Sequence, residues 1–325
     1  MTTDWQYQAL KQRIEIITHA LHQNFSLNYS QITHCFIEIA PKFSGLLGLI
    51  FPHYIENYGL TEYELSIKTL EKITEFASAE FAIRAFIRQY PQATLLQLIQ
   101  WTQSTNPHHR RLASEGCRPR LPWATPLIEF KRDPSPILPI LTLLKTDNSE
   151  YVRKSVANNL NDIAKDHPEQ MIALAYSWKG QHPYTDWIIK QGCRHLLKHS
   201  HPQVLALFNL AAPINIQITD FYCDPQVKLN HQLSFSFTLK TINKALGKLR
   251  IEYGIEFVKA HQKLARKFFK ISEAYYAQTQ KSIHKSYSFK PISTRKYYTG
   301  IHQLLIRING KIIANKSFEL FADNS

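Results

Sequence analysis

Between Trp5 and about Leu210, prolines and capping residues cut the chain into helical segments that return roughly every 40 residues. That recurrence limits the possible folds. A unit of two short helices cannot hide its own apolar face and needs stacked neighbours to do so. "YELSIKTLEKITEFA" places Leu65, Thr69, Ile73 and Phe76 on one helical face. "AEFAIRAFIRQYPQATLLQLIQW" reads as two helices broken at Pro91. "NPHHRRLASEG" starts with Asn106 as cap and Pro107 as first helical residue, and stops at Gly116. "NSEYVRKSVANNLNDIAKDHP" starts at an Asn148/Ser149 cap and ends before Pro168, and "YTDWIIKQGCRHLLKHSHP" ends before Pro202. Offset by 36 residues, Tyr151, Ser155, Asn158 and Asp162 fall on Trp187, Gln191, Arg194 and Lys198. Arg111 aligns with Arg153, 42 residues on. These spacings predict a HEAT-type α-solenoid over residues 1–212, with one face of each helix pair lining a groove.

After Pro213 the period changes. "HQLSFSFTLK" alternates polar and apolar residues, as a half-buried strand does, and "KLRIEYGIEF" and "HQLLIRINGKIIANKSFELF" follow suit. Asn309-Gly310 is a two-residue hairpin signal. About seven short strands predict an Ig-like β-sandwich over residues 213–325, without the Cys-Trp-Cys pattern of a disulfide-linked one. The expected fold class is therefore mainly α, a HEAT-like α-solenoid followed by a C-terminal Ig-like β-sandwich.

Charge is distributed unevenly. Residues 1–105 carry seven Lys/Arg against nine Asp/Glu, residues 106–212 fourteen against nine, and residues 213–325 eighteen against seven. A basic middle and a very basic end favour a polyanion, most often nucleic acid. The longest apolar run, Gly45 to Phe51, is seven residues, too short to cross a membrane. "MTTDWQYQALKQ" has neither the basic start nor the apolar stretch of a signal peptide, so a cytoplasmic protein is expected. The four cysteines lie far apart with no CxxC, and the fifteen histidines show no HExxH. No metal or cofactor is expected, and a phosphodiester-cleaving enzyme has no ligand cluster to rest on.

The stretch "RRLASEGCRPRLPWA" sets one carboxylate, Glu115, among four arginines. A negative charge in the last turn of a helix is disfavoured by the macrodipole, and Arg111 stands four residues back as an ordinary salt-bridge partner. Glu150 lies in a first turn, where an acid is welcome for the dipole alone. In the repeat frame both acids face one flank, rimmed by Arg110, Arg118, Arg120, Arg153 and Lys154. The stripe Tyr151, Ser155, Asn158, Asp162 and its counterpart Trp187, Gln191, Arg194, Lys198, with Lys190 alongside, share helix faces. Such groups suit a phosphate backbone or a solvated outer face. Trp123 reads as a core residue behind Pro122 or as a flat surface against a sugar.

The same "RRLASEGCRPRLPWA", together with "SEYVRKSVANNLNDIAKDHP" and "IIKQGCRHLLKHSHP", resembles the AlkC branch of the HEAT-repeat DNA alkylation repair glycosylases. The resemblance covers roughly residues 60–210, and more loosely the first sixty. It implies an enzyme that hydrolyses the N-glycosidic bond of cationic alkylated bases without base flipping. The bases are chiefly 3-methyladenine, with 3-methylcytosine second. It implies Glu115 and Glu150 as the active-site acids. The implied partner is alkylated double-stranded DNA, and the expected state is a monomer. Some members of the branch carry an Ig-like C-terminal domain. The related AlkD branch uses an aspartate flanked by tryptophans, and no equivalent follows Trp123. The competing reading is a non-enzymatic HEAT scaffold that grips nucleic acid or an acidic protein.

Overall fold

A computed structural model describes residues 4–322 apart from 44, 214 and 294, and apart from the side chain of Gln262. Met1–Thr3 of the amino-terminal stretch lie outside the described residues. The chain forms two compact units, Met1–His195 and Leu196–Ser325. Helix gives way to strand between Leu207 and Gln217.

The first unit is built from α1 (Leu10–Asn24), α2 (Tyr29–Ile39), α3 (Ile50–Tyr58), α4 (Tyr63–Ile73), α5 (Ile83–Gln89), α6 (Pro91–Trp101) and α7 (Pro107–Gly116). It continues through α8 (Ile128–Arg132), α9 (Leu138–Leu143), α10 (Glu150–Asp166), α11 (Pro168–Trp178) and α12 (Pro183–Gly192). Short α13 (Arg194–Lys198) and α14 (Pro202–Leu207) follow. Proline sets the boundaries: α6, α7, α11, α12 and α14 each start with one at the first helical position, where its missing N–H is not needed. The Asn106 cap of α7 forms as expected, its side chain accepting from His108 N. At α10 the Ser149 side chain makes no cap; Asp147 Oδ1 accepts the Ser149 N–H instead, at 2.8 Å.

Helices stack through small residues. A Cβ on Gly116 would come 2.4 Å from Ile83 Cγ2, and one on Gly192 would come 2.9 Å from Leu160 Cβ. At these two contacts the end of α7 meets the start of α5, and α12 packs on α10. On α4 the inner face is Ser66, Ile67, Thr69, Leu70 and Ile73. Phe76, expected on that face, lies past the end of the helix and is exposed, because α4 stops at Ile73. The segment expected to run unbroken to Pro202 divides at Cys193 into α12 and α13.

In the second unit, β1 (Gln217–Cys223), β3 (Gln232–Lys240) and β6 (Gln280–Ser288) form one sheet, in the order β1-β3-β6. β2 (Gln226–Lys228), β8 (Lys311–Phe321), β7 (Gly300–Ile308), β4 (Gly247–Val258) and β5 (Leu264–Tyr276) form the other, in that order. Leu233, Phe235, Phe237 and Leu239 of β3 share a core with Ile251, Ile255, Leu304 and Phe318 from the facing sheet, the arrangement of an Ig-like sandwich. Asn309 and Gly310 both take positive φ, 44° and 83°, as a type I′ turn between β7 and β8 requires.

β4 is buried on both faces, unlike a strand with one wet side. On its outer side Arg250 and Glu252 form ion pairs with Glu273 and Arg307. The 196–211 segment covers that side. Arg307 Nη2 donates to Lys198 O at 3.0 Å, and Asn309 Nδ2 to Ala211 O at 2.7 Å. Gly310 approaches Leu205 and Ser200.

Candidate active site

Glu115 closes the last turn of α7 and is 5% exposed. Its Oε1 accepts from Arg118 Nη1 at 2.6 Å and faces Arg111 Nη2 at 3.7 Å. Oε2 accepts no hydrogen bond among the described residues. Arg118 reaches on to α10, where its Nε donates to Asp162 Oδ2 at 2.9 Å. Asp162, 1% exposed, also accepts from Lys165 Nζ at 3.0 Å. Arg111 pairs chiefly with Glu80, with Ser78 beside them, so the expected Arg111–Glu115 bridge is the longer of the two that Glu115 makes. Glu80, Glu115 and Asp162 balance Arg111, Arg118 and Lys165. Burial works to lower the Arg118 pKa, but Glu115 and Asp162 outweigh it, and the guanidinium sits above its ordinary value.

α7 and α10 run in parallel, with Arg110 meeting Asp147 at one end and Arg118 meeting Asp162 at the other. Between these ion pairs Ser114 Oγ donates to Ser155 Oγ at 2.6 Å, and Asn159 Nδ2 donates to Ser114 O at 2.9 Å. This corrects the surface-stripe reading. Ser155 and Asp162 are inside and join two helices rather than facing solvent. A mid-helix asparagine is therefore explained at position 159 by an interhelical bond. The neighbouring Asn158 is half-buried and accepts from Arg194 Nη2 at 2.9 Å.

Glu150 occupies a different setting. Its side chain is 63% exposed in the first turn of α10, and it pairs with Lys154 at 2.8 Å. That hydrogen bond holds its carboxyl below the usual carboxylate range. The structure thus does not enclose the two acids together. Glu115 is locked inside a network, and Glu150 lies open.

The expected DNA contacts also divide. Arg110 forks onto Asp147 at 2.6 and 3.1 Å, and Arg120 onto Asp166 at 2.7 and 2.5 Å. Arg118 is buried, so it acts on Glu115 rather than presenting a free charge. Arg153 lies 3.9 Å over the Tyr184 ring and donates to Asp147 O and Asn148 O. Trp187, Lys190 and Gln191 are half-buried on α12. Trp123 is settled as a surface residue, 71% exposed at a positive φ of 64°.

Arg84 was not expected from the sequence. Only 1% exposed, it donates to Gly116 O (3.0 Å), Arg118 O (2.7 Å) and Thr125 O (2.8 Å). It clamps both ends of the loop that runs from Glu115 to Trp123. Burial, with Arg88 nearby, pushes its pKa down to about 10, so it remains charged at neutral pH.

The DNA alkylation repair enzyme family model matches residues 50–196, and the C-terminal Ig-like domain model of the uncharacterised protein YhaZ matches residues 217–322. The chain is 44% identical to YhaZ of Bacillus subtilis strain 168 over 98% of its own length and 89% of that protein's. It is 37% identical to the alkylpurine DNA glycosylase AlkC of Pseudomonas fluorescens, solved bound to DNA containing an abasic site analog. The TM-score is 0.93, over 98% of this chain and 89% of that one. The chain belongs to the AlkC branch of the DNA alkylation repair enzyme family.

In this AlkC-type chain a short repeat sets Glu115 apart a second time. "EGCR" at Glu115–Arg118 returns as "QGCR" at Gln191–Arg194. Both glycines allow close helix contact and both cysteines are buried, but only the first copy carries a carboxylate. Glutamine at the equivalent position cannot offer charge, which marks Glu115 as the unusual member of the pair. For Arg84 the signal is a guanidinium between Ile83 and Phe86, both buried. An arginine on an apolar face needs specific partners.

Proposed function

We propose that the chain, as a monomer, is a DNA glycosylase that releases cationic alkylated bases, 3-methyladenine first, from double-stranded DNA without flipping them. The observation that carries this reading is its likeness, across 98% of its length, to a glycosylase held on abasic-site DNA. A methylated adenine already bears positive charge and leaves without being protonated. What remains is to stabilise the oxocarbenium-like sugar, which a fixed carboxylate does electrostatically. At 4 Å two opposite unit charges attract by about 4 kcal/mol at intermediate dielectric.

Glu115 fits that task because one oxygen is anchored by Arg118 while the other accepts no bond within the described protein. Glu150, exposed and ionised, is the second acid and a candidate to orient water. Lys154, exposed beside Glu150, is placed to meet the backbone, whereas Arg110, Arg118 and Arg120 are held by carboxylates of the chain itself.

The scaffold reading has one observation in its favour, since Glu115 does serve as a salt-bridge partner. Incubation with methylated duplex DNA and chromatography of the freed bases separates the two. Glu115→Gln should lower base release by at least about a hundredfold with duplex affinity near that of the parent chain, while melting falls because buried Arg118 loses one of its two charged partners. Undiminished release would remove Glu115 from the mechanism. Glu150→Gln should also slow release. An unchanged rate would leave it a helix-start residue.

A further inference from the structure

A cleft beside Trp123 is not used by the mechanism above. A cavity of about 150 Å³ opens between α1, α3, the start of α5 and the loop at 123–125. Ile14, Leu49 and Pro52 give it an aliphatic wall, and Trp123 stands at its edge. Glu56 projects into this space and makes no hydrogen bond or ion pair among the described residues. Burial pushes its carboxyl up to about 7, against the charges of Lys11, Arg88 and Arg84. Lys11 and Arg88 are exposed at the rim, while Arg84 is buried in the wall with its Nε unpartnered. His53 beside it is held neutral by burial, its Nδ1 engaged with Thr18 Oγ1 at 3.1 Å.

Four features narrow the occupant. An apolar wall with one exposed indole suits a flat ring, since aromatic side chains stack on any nucleobase. A carboxyl that can carry its proton offers one donor and one acceptor, the complement of the N6–H and N1 edge of adenine. Two rim cations suit a phosphate. A bare anion would meet Glu56 when that group is charged. We propose that this cavity binds one unstacked adenine nucleotide, with Glu56 on the base edge, Trp123 on its face, and Lys11 and Arg88 on the phosphate. The proposal rests on the reading of the chain as a DNA-acting protein. The nucleotide comes either from solution or from a DNA strand.

Titration calorimetry of the full chain with AMP and with adenosine tests the first source. The second is tested by the fluorescence anisotropy of an end-labelled duplex carrying one unpaired adenine, against the same duplex fully paired. Glu56→Met removes the edge contact and also a poorly solvated charge, so folding is not threatened; Glu56→Gln restores a donor and an acceptor. Glu56→Met should weaken binding by about tenfold or more and Glu56→Gln should recover most of it. Arg88→Met should weaken AMP but not adenosine. A response with AMP alone assigns the cavity to free nucleotide, and one with the bulged duplex alone assigns it to the strand. If Glu56→Met changes neither, the proposal is overturned. Base release from methylated duplex, measured in parallel, reports on the glycosylase reading separately, because binding at this cavity is read without catalysis.

Discussion

At the scale of single residues, Arg118 decides whether two buried acids are tolerated. Glu115 and Asp162 are both under 6% exposed, and each takes a hydrogen bond from this one guanidinium. Removing one partner of a buried ion pair leaves an uncompensated charge, which costs about 3–5 kcal/mol. Arg118→Met should therefore lower the melting temperature substantially at neutral pH, while Arg120→Met, at a side chain 38% exposed, should change it little. Equal effects would mean that Arg118 is screened like a surface group. Glu56 gives a pH signature of opposite origin. Its folded pKa, about 7, lies above the ordinary carboxyl value of 4.5, so the folded state takes up the proton first. Its contribution is fully present below about 4.5 and is lost as pH rises through 7. Glu56→Gln should therefore raise stability at pH 8 relative to pH 5 by on the order of 2–3 kcal/mol compared with the parent chain. His53, whose pKa is lowered, has the opposite slope and is present in both chains, so the difference isolates Glu56. A difference that stays flat across this window would show that the carboxyl is solvated.

At the scale of elements, the position of Glu115 depends on how closely α7 approaches α5. Gly116 permits that approach: an added methyl would sit 2.4 Å from Ile83, and overpacking of this kind costs about 1–3 kcal/mol. Gly116→Ala should both destabilise the chain and slow base release, because Glu115 is the adjoining residue and Arg84 holds the Gly116 carbonyl. Gly192→Ala, the same change in the later repeat, should destabilise with release largely kept. A rate loss as large at 192 as at 116 would make both effects global. The two glycines also show what the sequence could disclose. Helix limits were legible because proline and asparagine act locally, as at Pro107 and Asn106. The β7–β8 turn was legible for the same reason. The inner and outer faces of α10 were not. Ser155, Asn159 and Asp162 look like surface residues until α7 supplies their partners, and those lie about forty residues away. Arg84 was missed likewise, since its acceptors are backbone carbonyls that carry no side-chain signature.

At the scale of the whole molecule, net charge and available charge differ. Much of the basic excess in residues 106–212 is spent internally: Arg110, Arg118 and Arg120 each face a carboxylate. Residues 213–325 hold eighteen basic groups against seven acidic ones. Lysines such as Lys240, Lys285 and Lys290 are exposed there. The free positive charge is therefore concentrated after the helices end, and duplex binding should depend on it. Cutting the chain at about residue 212 is a poor way to ask. The 196–211 segment packs on the sandwich through Arg307, Asn309 and Gly310, so the cut would strip Leu205 of its cover. Salt is the cleaner variable, because each phosphate neutralised contributes about −0.9 to the slope of log affinity against log salt. If six or more phosphates are held, affinity should fall about a thousandfold between roughly 50 and 200 mM salt. Replacing Lys240, Lys285 and Lys290 together by serine should flatten the slope by up to about three, with melting unchanged since these side chains are exposed. A slope that is steep yet indifferent to the triple change would move the phosphate contacts to other lysines. A slope near zero would remove the duplex as the partner.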